Sequence, residues 1–110
     1  MSVTTHVLDT ARGRPAAGVG VMLSVRTGGG WRELARAATD ADGRARFDDA
    51  GPLEAAAYRL RFETGDWFRG SGLEGFWPQV EIAFEIADPG VHHHVPLLLS
   101  PYGYTTYRGS

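Results

Sequence analysis

Residues 18–30 read Gly18-Val19-Gly20-Val21-Met22-Leu23-Ser24-Val25-Arg26-Thr27-Gly28-Gly29-Gly30. In an extended chain, Val19, Val21, Leu23 and Val25 fall on one face and Gly20, Met22, Ser24 and Arg26 on the other. A period of two is that of a half-buried strand. It predicts a strand over 18–26, with the glycine run 28–30 as a hairpin turn into a second strand over 31–39. The same alternation recurs downstream. Tyr58, Leu60 and Phe62 interleave with Arg59, Arg61 and Glu63, predicting a strand over 58–63. Val80, Ile82, Phe84 and Ile86 interleave with polar or small residues, predicting another over 79–87.

The remaining segments are cut to similar lengths by turn residues. Strands are predicted at 3–9, 44–48, 92–99 and 104–107. The loop Arg12-Gly13-Arg14-Pro15 ends the first of them. Asp40-Ala41-Asp42-Gly43, Ala87-Asp88-Pro89-Gly90 and Ser100-Pro101-Tyr102-Gly103 read as turns, with Gly43 where a positive φ is expected. About one helical turn is predicted within 70–77. Eight short strands with 15 Gly and 6 Pro between them, and almost no helix, predict an all-β two-sheet sandwich.

A chain of 110 residues suits one domain, 1–110, which buries roughly two-thirds of its unfolded surface. Eleven basic against thirteen acidic residues leave a net charge of −2, which argues against nucleic acid or an anionic membrane as partner. All the basic residues are Arg, so lysine Schiff-base chemistry is excluded. The absence of Cys removes thiol nucleophiles, disulfides and thiolate metal sites, and the absence of Asn removes N-glycosylation. No stretch approaches the roughly 18 apolar residues of a membrane span. The start, Met1 to Asp9, lacks the basic and apolar regions of a secretory signal, so a cytoplasmic location is expected. Catalysis is left to four His, the carboxylates, the hydroxyls and Arg.

Three of the four His are consecutive, His92-His93-His94. In a strand, His92, His94, Pro96 and Leu98 share one face, while His93, Val95, Leu97 and Leu99 share the other. The second set is the core face, so His92 and His94 point outward. Such a pair is equally a surface pair or part of a site. It is poor material for a closed zinc centre, which needs about four ligands; no metal and no cofactor is expected. His6 shares the outward face of the first strand with Thr4 and Leu8. Arg44, at the end of the Asp42-Gly43 turn, is by itself an ordinary turn residue, and Asp48-Asp49 an ordinary solvated pair. No nucleophile elbow, phosphate loop or dinucleotide fingerprint occurs.

Taken together, three stretches resemble the transthyretin-like 5-hydroxyisourate hydrolases. They are His6-Val7-Leu8-Asp9 with Gly13-Arg14-Pro15-Ala16, Thr39-Asp40-Ala41-Asp42-Gly43-Arg44, and His94 through Ser110. The closing Tyr107-Arg108-Gly109-Ser110 is the most specific element. The family usually has His-Tyr-His where this chain has His92-His93-His94; only the middle residue departs, and it lies on the core face.

The resemblance implies an eight-stranded transthyretin-like sandwich, assembled as a homotetramer (a dimer of dimers) with active sites in the channel between dimers. It implies hydrolysis of 5-hydroxyisourate to 2-oxo-4-hydroxy-4-carboxy-5-ureidoimidazoline in urate degradation. Carried over by motif, His6 and His94 hold and deprotonate the attacking water, with His92 in support at the substrate. Arg44 binds the anionic substrate and stabilises the oxyanion, and Tyr107 and Ser110 close the pocket on the ring. Which His is the base stays open. If the last strand keeps its alternation, Thr105 and Tyr107 share a face, which the family places at the channel. The competing reading is a transthyretin-like carrier without chemistry, which needs neither converging His and Arg nor the Tyr107–Ser110 tail. A sandwich adhesion module fits less well, since the chain shows no repeat or linker.

Overall fold

The computed structural model describes residues 2–110. Two sheets face each other across the core. One runs β4(Gly30–Ala38), β3(Gly20–Thr27), β6(Ala56–Phe62) and β7(Val80–Ile86), all antiparallel. The other is organised around β1(Val3–Asp9). One edge of β1 pairs antiparallel with β2(Arg14–Pro15) and β5(Arg44–Arg46). The opposite edge pairs parallel with β8(His93–His94) and β9(Leu97–Ser100), and β10(Gly103–Thr106) closes that side against β9.

Alternation places the core. Val3 and Val7 of β1 and Leu97 and Leu99 of β9 are buried from one sheet. Val21, Leu23, Tyr58, Leu60, Phe62, Val80 and Ile86 are buried from the other. Each fully buried aliphatic contributes about 1.5–3 kcal/mol. A one-residue slip of β1 would expose Val3 and Val7 and drive His6 inward, so the core pins the register. The predicted all-β sandwich is what forms.

Some boundaries differ from the sequence reading. The segment predicted as one strand over 92–99 is interrupted at Val95-Pro96. Proline has no N–H to donate to the ladder. The register survives the gap: Thr4 pairs with His94 on one side of it and Val7 with Leu97 on the other. Pro96, expected to stand outward, is buried, lying inside the sheet between β1 and β10 with its carbonyl accepting from Thr106 Oγ1 at 2.7 Å. The strand predicted over 44–48 stops at Arg46, and Asp48–Ala50 form a short 3-10 turn. Arg14–Pro15, read as loop, make two ladder positions beside β1.

The helix is α1(Thr64–Gly70), not within 70–77. Its first turn has no side-chain cap, and Thr-Gly-Asp is a weak helical start. Docking holds it instead. Thr64 Oγ1 donates to the Trp77 carbonyl at 2.8 Å, Gly65 N–H donates to that of Pro78 at 2.9 Å, and Phe68 is buried. Gly65 is required there because a β-carbon would press into the Pro78 backbone. No helix is long and apolar enough to cross a membrane among the described residues.

Candidate active site

The outward face of β1 carries Thr4, His6 and Leu8, all half-buried. Ladder register decides what stands beside them. On one side His6 is directly opposite Arg44 and Thr4 opposite Arg46. On the other side Thr4 is the neighbour of His94. Adjacent strands lie about 4.8 Å apart, so residues distant in sequence meet on one face through pairing alone. His92 extends the row, its ring 6.3 Å from that of His94 and nearly parallel to it.

Arg44 is presented by the turn Asp40–Gly43. The Asp40 carboxylate accepts the backbone N–H of Asp42 at 2.9 Å and of Arg44 at 3.0 Å. Those bonds, that from Arg44 foremost, hold its pKa below the usual carboxylate value. Asp40 is therefore an anionic clamp on the turn rather than a base. Gly43 has φ 77°, and a β-carbon would strike the carbonyl of Val7, to whose N–H the Gly43 carbonyl is bonded at 2.7 Å. The turn can lie this close to β1 only with glycine at that position.

The chain end is folded back onto the site. Gly109 bridges to His94, its N–H donating to the His94 carbonyl at 2.8 Å. That brings Ser110 to the rim. The resulting cavity, about 670 Å³, is lined by Thr4, Arg44, His92, His94 and Ser110, with Asp40 at its edge. Its size is that of a small-molecule site.

Four of the six candidate residues thus line this cavity: Arg44, His92, His94 and Ser110. His6 stands beside Arg44 on the same face but turns its ring to the Asp42 carbonyl, Nε2–H donating at 2.8 Å. A carbonyl only accepts, so the second nitrogen of a neutral His6 is Nδ1, unprotonated. Tyr107 is not brought to this cavity. The strand ends at Thr106, so the expected alternation stops, and Tyr107 lines an adjoining groove with Ile82, Phe84 and Arg108, which His94 also borders. His93 is buried, as its face predicted, its Nδ1–H donating to the Val91 carbonyl at 2.8 Å.

Burial pushes the pKa of His94 below its ordinary value, and the positive charges of Arg44, His92 and His6 act in the same direction. A ring kept neutral at neutral pH can accept a proton. Both ring nitrogens of His92 are engaged, by Ser2 Oγ at 2.6 Å and Thr4 Oγ1 at 3.1 Å. Among the described residues no group of three or more His, Asp or Glu is arranged to hold a metal ion.

Sequence reasoning gave no individual role to Ser2, Thr4, Asp40 or Gly109. Thr4 had a signal, since it shares the outward face with His6. Asp40 and Gly109 stood within the motif stretches, but what they do is read only once the turn and the tail are folded against β1, as is the contact of Ser2 with His92.

Comparison with known proteins places the chain in a family. The sequence model of the HIUase/Transthyretin family matches residues 3–109. The chain is 52% identical over 112 residues to a 5-hydroxyisourate hydrolase of Caulobacter vibrioides, covering 98% of this chain and 97% of that one. Its fold superposes on the Klebsiella pneumoniae 5-hydroxyisourate hydrolase with a TM-score of 0.86 at 43% identity, covering all of both chains. It also superposes on sea bream transthyretin in complex with thyroxine, with a TM-score of 0.88 at 30% identity, covering 97% and 93% of the two chains.

Proposed function

The chain belongs to the HIUase/transthyretin family, and we propose that it opens the six-membered ring of 5-hydroxyisourate with a water molecule activated by His94 beside Arg44 and His6. It is an enzyme of urate degradation, and the product we propose for it is the one the family resemblance implies, 2-oxo-4-hydroxy-4-carboxy-5-ureidoimidazoline. The observation that carries the site assignment is the convergence of Arg44, His92, His94 and Ser110 on one cavity, with His6 opposite Arg44 in the ladder.

His94 is the base in this mechanism. With its Nδ1–H donating to Thr4 Oγ1 at 2.7 Å, its Nε2 is unprotonated and removes a proton from water as the water attacks a ring carbonyl. No covalent nucleophile is needed. The guanidinium of Arg44 binds the urate-like anion and stabilises the oxyanion that develops at the attacked carbon. His6, held by the Asp42 carbonyl, helps to orient the water. His92 and Ser110 contact the substrate ring. Tyr107 closes the pocket once subunits assemble, since its own groove lies beside the site rather than in it.

Residues 1–110 act as a single hydrolase domain within a homotetramer, a dimer of dimers, in the cytoplasm. Support for assembly comes from β7 and β10, which each have a ladder partner on one side only among the described residues. Exposed Tyr104 and Tyr107 lie on or next to the β10 edge. An open edge bordered by exposed aromatics favours pairing with another copy. A thyroxine-type carrier shares the fold, but fold alone does not assign function, and a carrier has no use for a neutral His beside an Arg.

The test follows the ultraviolet absorbance of freshly made 5-hydroxyisourate. Decay should accelerate in proportion to protein added. A rate equal to that of buffer alone would leave the carrier reading.

A further inference from the structure

Three hydrogen bonds on the outward face of β1 link four side chains in a line. Ser2 Oγ meets His92 Nδ1 at 2.6 Å, His92 Nε2 meets Thr4 Oγ1 at 3.1 Å, and Thr4 Oγ1 meets His94 Nδ1 at 2.7 Å. Thr4 stands between the two rings because it pairs with His94 across the parallel ladder. Ser2 sits two residues before it on the same face.

Proton counting makes the line directional. A hydroxyl has one proton, and a neutral imidazole carries one on its ring nitrogens. If Thr4 gives its proton to His92 Nε2, it must accept one from His94 Nδ1, and His94 Nε2 is then unprotonated. His92 correspondingly carries its proton on Nδ1 and gives it to Ser2 Oγ. In the reverse direction Thr4 gives its proton to His94 Nδ1. His94 Nε2 then bears the hydrogen and cannot act as a base. The Thr4 hydroxyl therefore couples the tautomer of the half-buried His94 to that of His92.

We propose that Thr4 is a positioning residue that holds His94 in the Nδ1–H tautomer and joins it to the exposed His92, so that a proton taken at His94 Nε2 is passed on to His92. The step balances. His94 Nε2 gains the proton of the water, and the Nδ1 proton moves to Thr4 Oγ1. The original Thr4 proton moves to His92 Nε2. His94 ends neutral and His92 becomes the cation. That transfer carries charge from a half-buried ring to an exposed one, where water solvates it. It also moves charge within a crowded field. Arg44 and Arg46 of β5, His6 of β1, Asp40 and Ser110 all border this face. A β-branched threonine suits the role, since its χ1 is restricted on a strand.

The proposal rests on the assigned hydrolysis, and its test separates the two. The tautomer of His94 is read in the wild-type protein by long-range ¹H–¹⁵N correlation of the imidazole nitrogens, without substrate. The Nδ1–H form supports the proposal, and the Nε2–H form overturns it whatever the enzyme hydrolyses. Kinetics supply the second arm. Thr4→Val keeps the β-branched shape and removes the hydroxyl. It should lower kcat for 5-hydroxyisourate on the order of tenfold to a hundredfold, as mispositioned groups do, with KM little changed and His94 redistributed between tautomers. Thr4→Ser should recover most of kcat. Unchanged kcat and unchanged tautomer in Thr4→Val would sink the relay, while an inactive wild type would sink the assigned hydrolysis and leave the tautomer result standing.

Discussion

Gly109 lies against the imidazole of His94 so closely that a β-carbon on residue 109 would collide with the ring. Its N–H is bonded to the His94 carbonyl at 2.8 Å. The chain end is thus not a free tail. It is a wall of the site, and its smallest residue sets how near the wall can come.

Gly109→Ala should therefore displace either the His94 ring or the terminal residues. Turnover of 5-hydroxyisourate should fall about tenfold or more, in line with the cost of misplacing a reacting group by a fraction of an ångström to an ångström. The thermal midpoint should hardly move, since little core lies at residue 109. Wild-type turnover in the alanine variant would show that the ring and the tail relax apart without consequence.

Alanine in place of His6, Arg44 or His94 should each lower kcat/KM by about 10²–10⁴-fold, the range for a lost acid–base group or oxyanion donor. His93→Ala should leave the chemistry largely intact and act on stability instead, because that ring is buried on the core face with its Nδ1–H on the Val91 carbonyl. Steady-state assays beside thermal melts separate the two effects. A residue of the first three whose variant keeps near-wild-type kinetics has no part in the reaction.

The lowered pKa of His94 sets a pH dependence. The unfolded ring has a pKa of 6.5, and the folded ring is protonated only at lower pH. Between these two values the unfolded chain binds the proton and the folded chain does not. This contribution to stability is therefore full above 6.5 and is lost as pH falls from there through the folded value. Activity should follow the folded value. The acid limb of kcat/KM should lie below 6.5 and shift upward in Arg44→Gln, which removes a nearby positive charge. An acid limb above 6.5 would remove His94 as the base.

Removing Tyr107–Ser110 should abolish most turnover and leave the fold. None of the four is among the buried core residues. The midpoint should stay within the few degrees that about 1 kcal/mol represents in a domain of this size. Light scattering, melting and the absorbance assay on one preparation provide the test. Full activity in the truncated protein would make the tail dispensable.

The sandwich, its core and the outward placement of His6, His92 and His94 were legible in the sequence. Alternation at Val19–Val25, Tyr58–Phe62 and Val95–Leu99 is a local property, and strand geometry converts it directly into two faces. The helix was misplaced because α1 is held by contacts from Thr64 and Gly65 to Trp77 and Pro78 rather than by caps or propensity. Pro96 was read outward and is buried because alternation reports which face a residue is on, not what its neighbouring strands cover.

What the amino-acid sequence determined by itself was the chemical inventory and the face each residue occupies. Without Lys or Cys, water activation fell to histidine, and the motif resemblance named His6, Arg44 and His94. What only the tertiary structure decided was adjacency. Parallel pairing of β1 with β8 sets Thr4 beside His94, antiparallel pairing with β5 sets His6 opposite Arg44, and the Gly109 bridge brings Ser110 to the cavity. It also placed Tyr107 in an adjoining groove that shares only His94 with that cavity. Ladder register is a long-range quantity. It is settled by which core residues must be buried together across the whole sheet, and no local pattern along the chain encodes it.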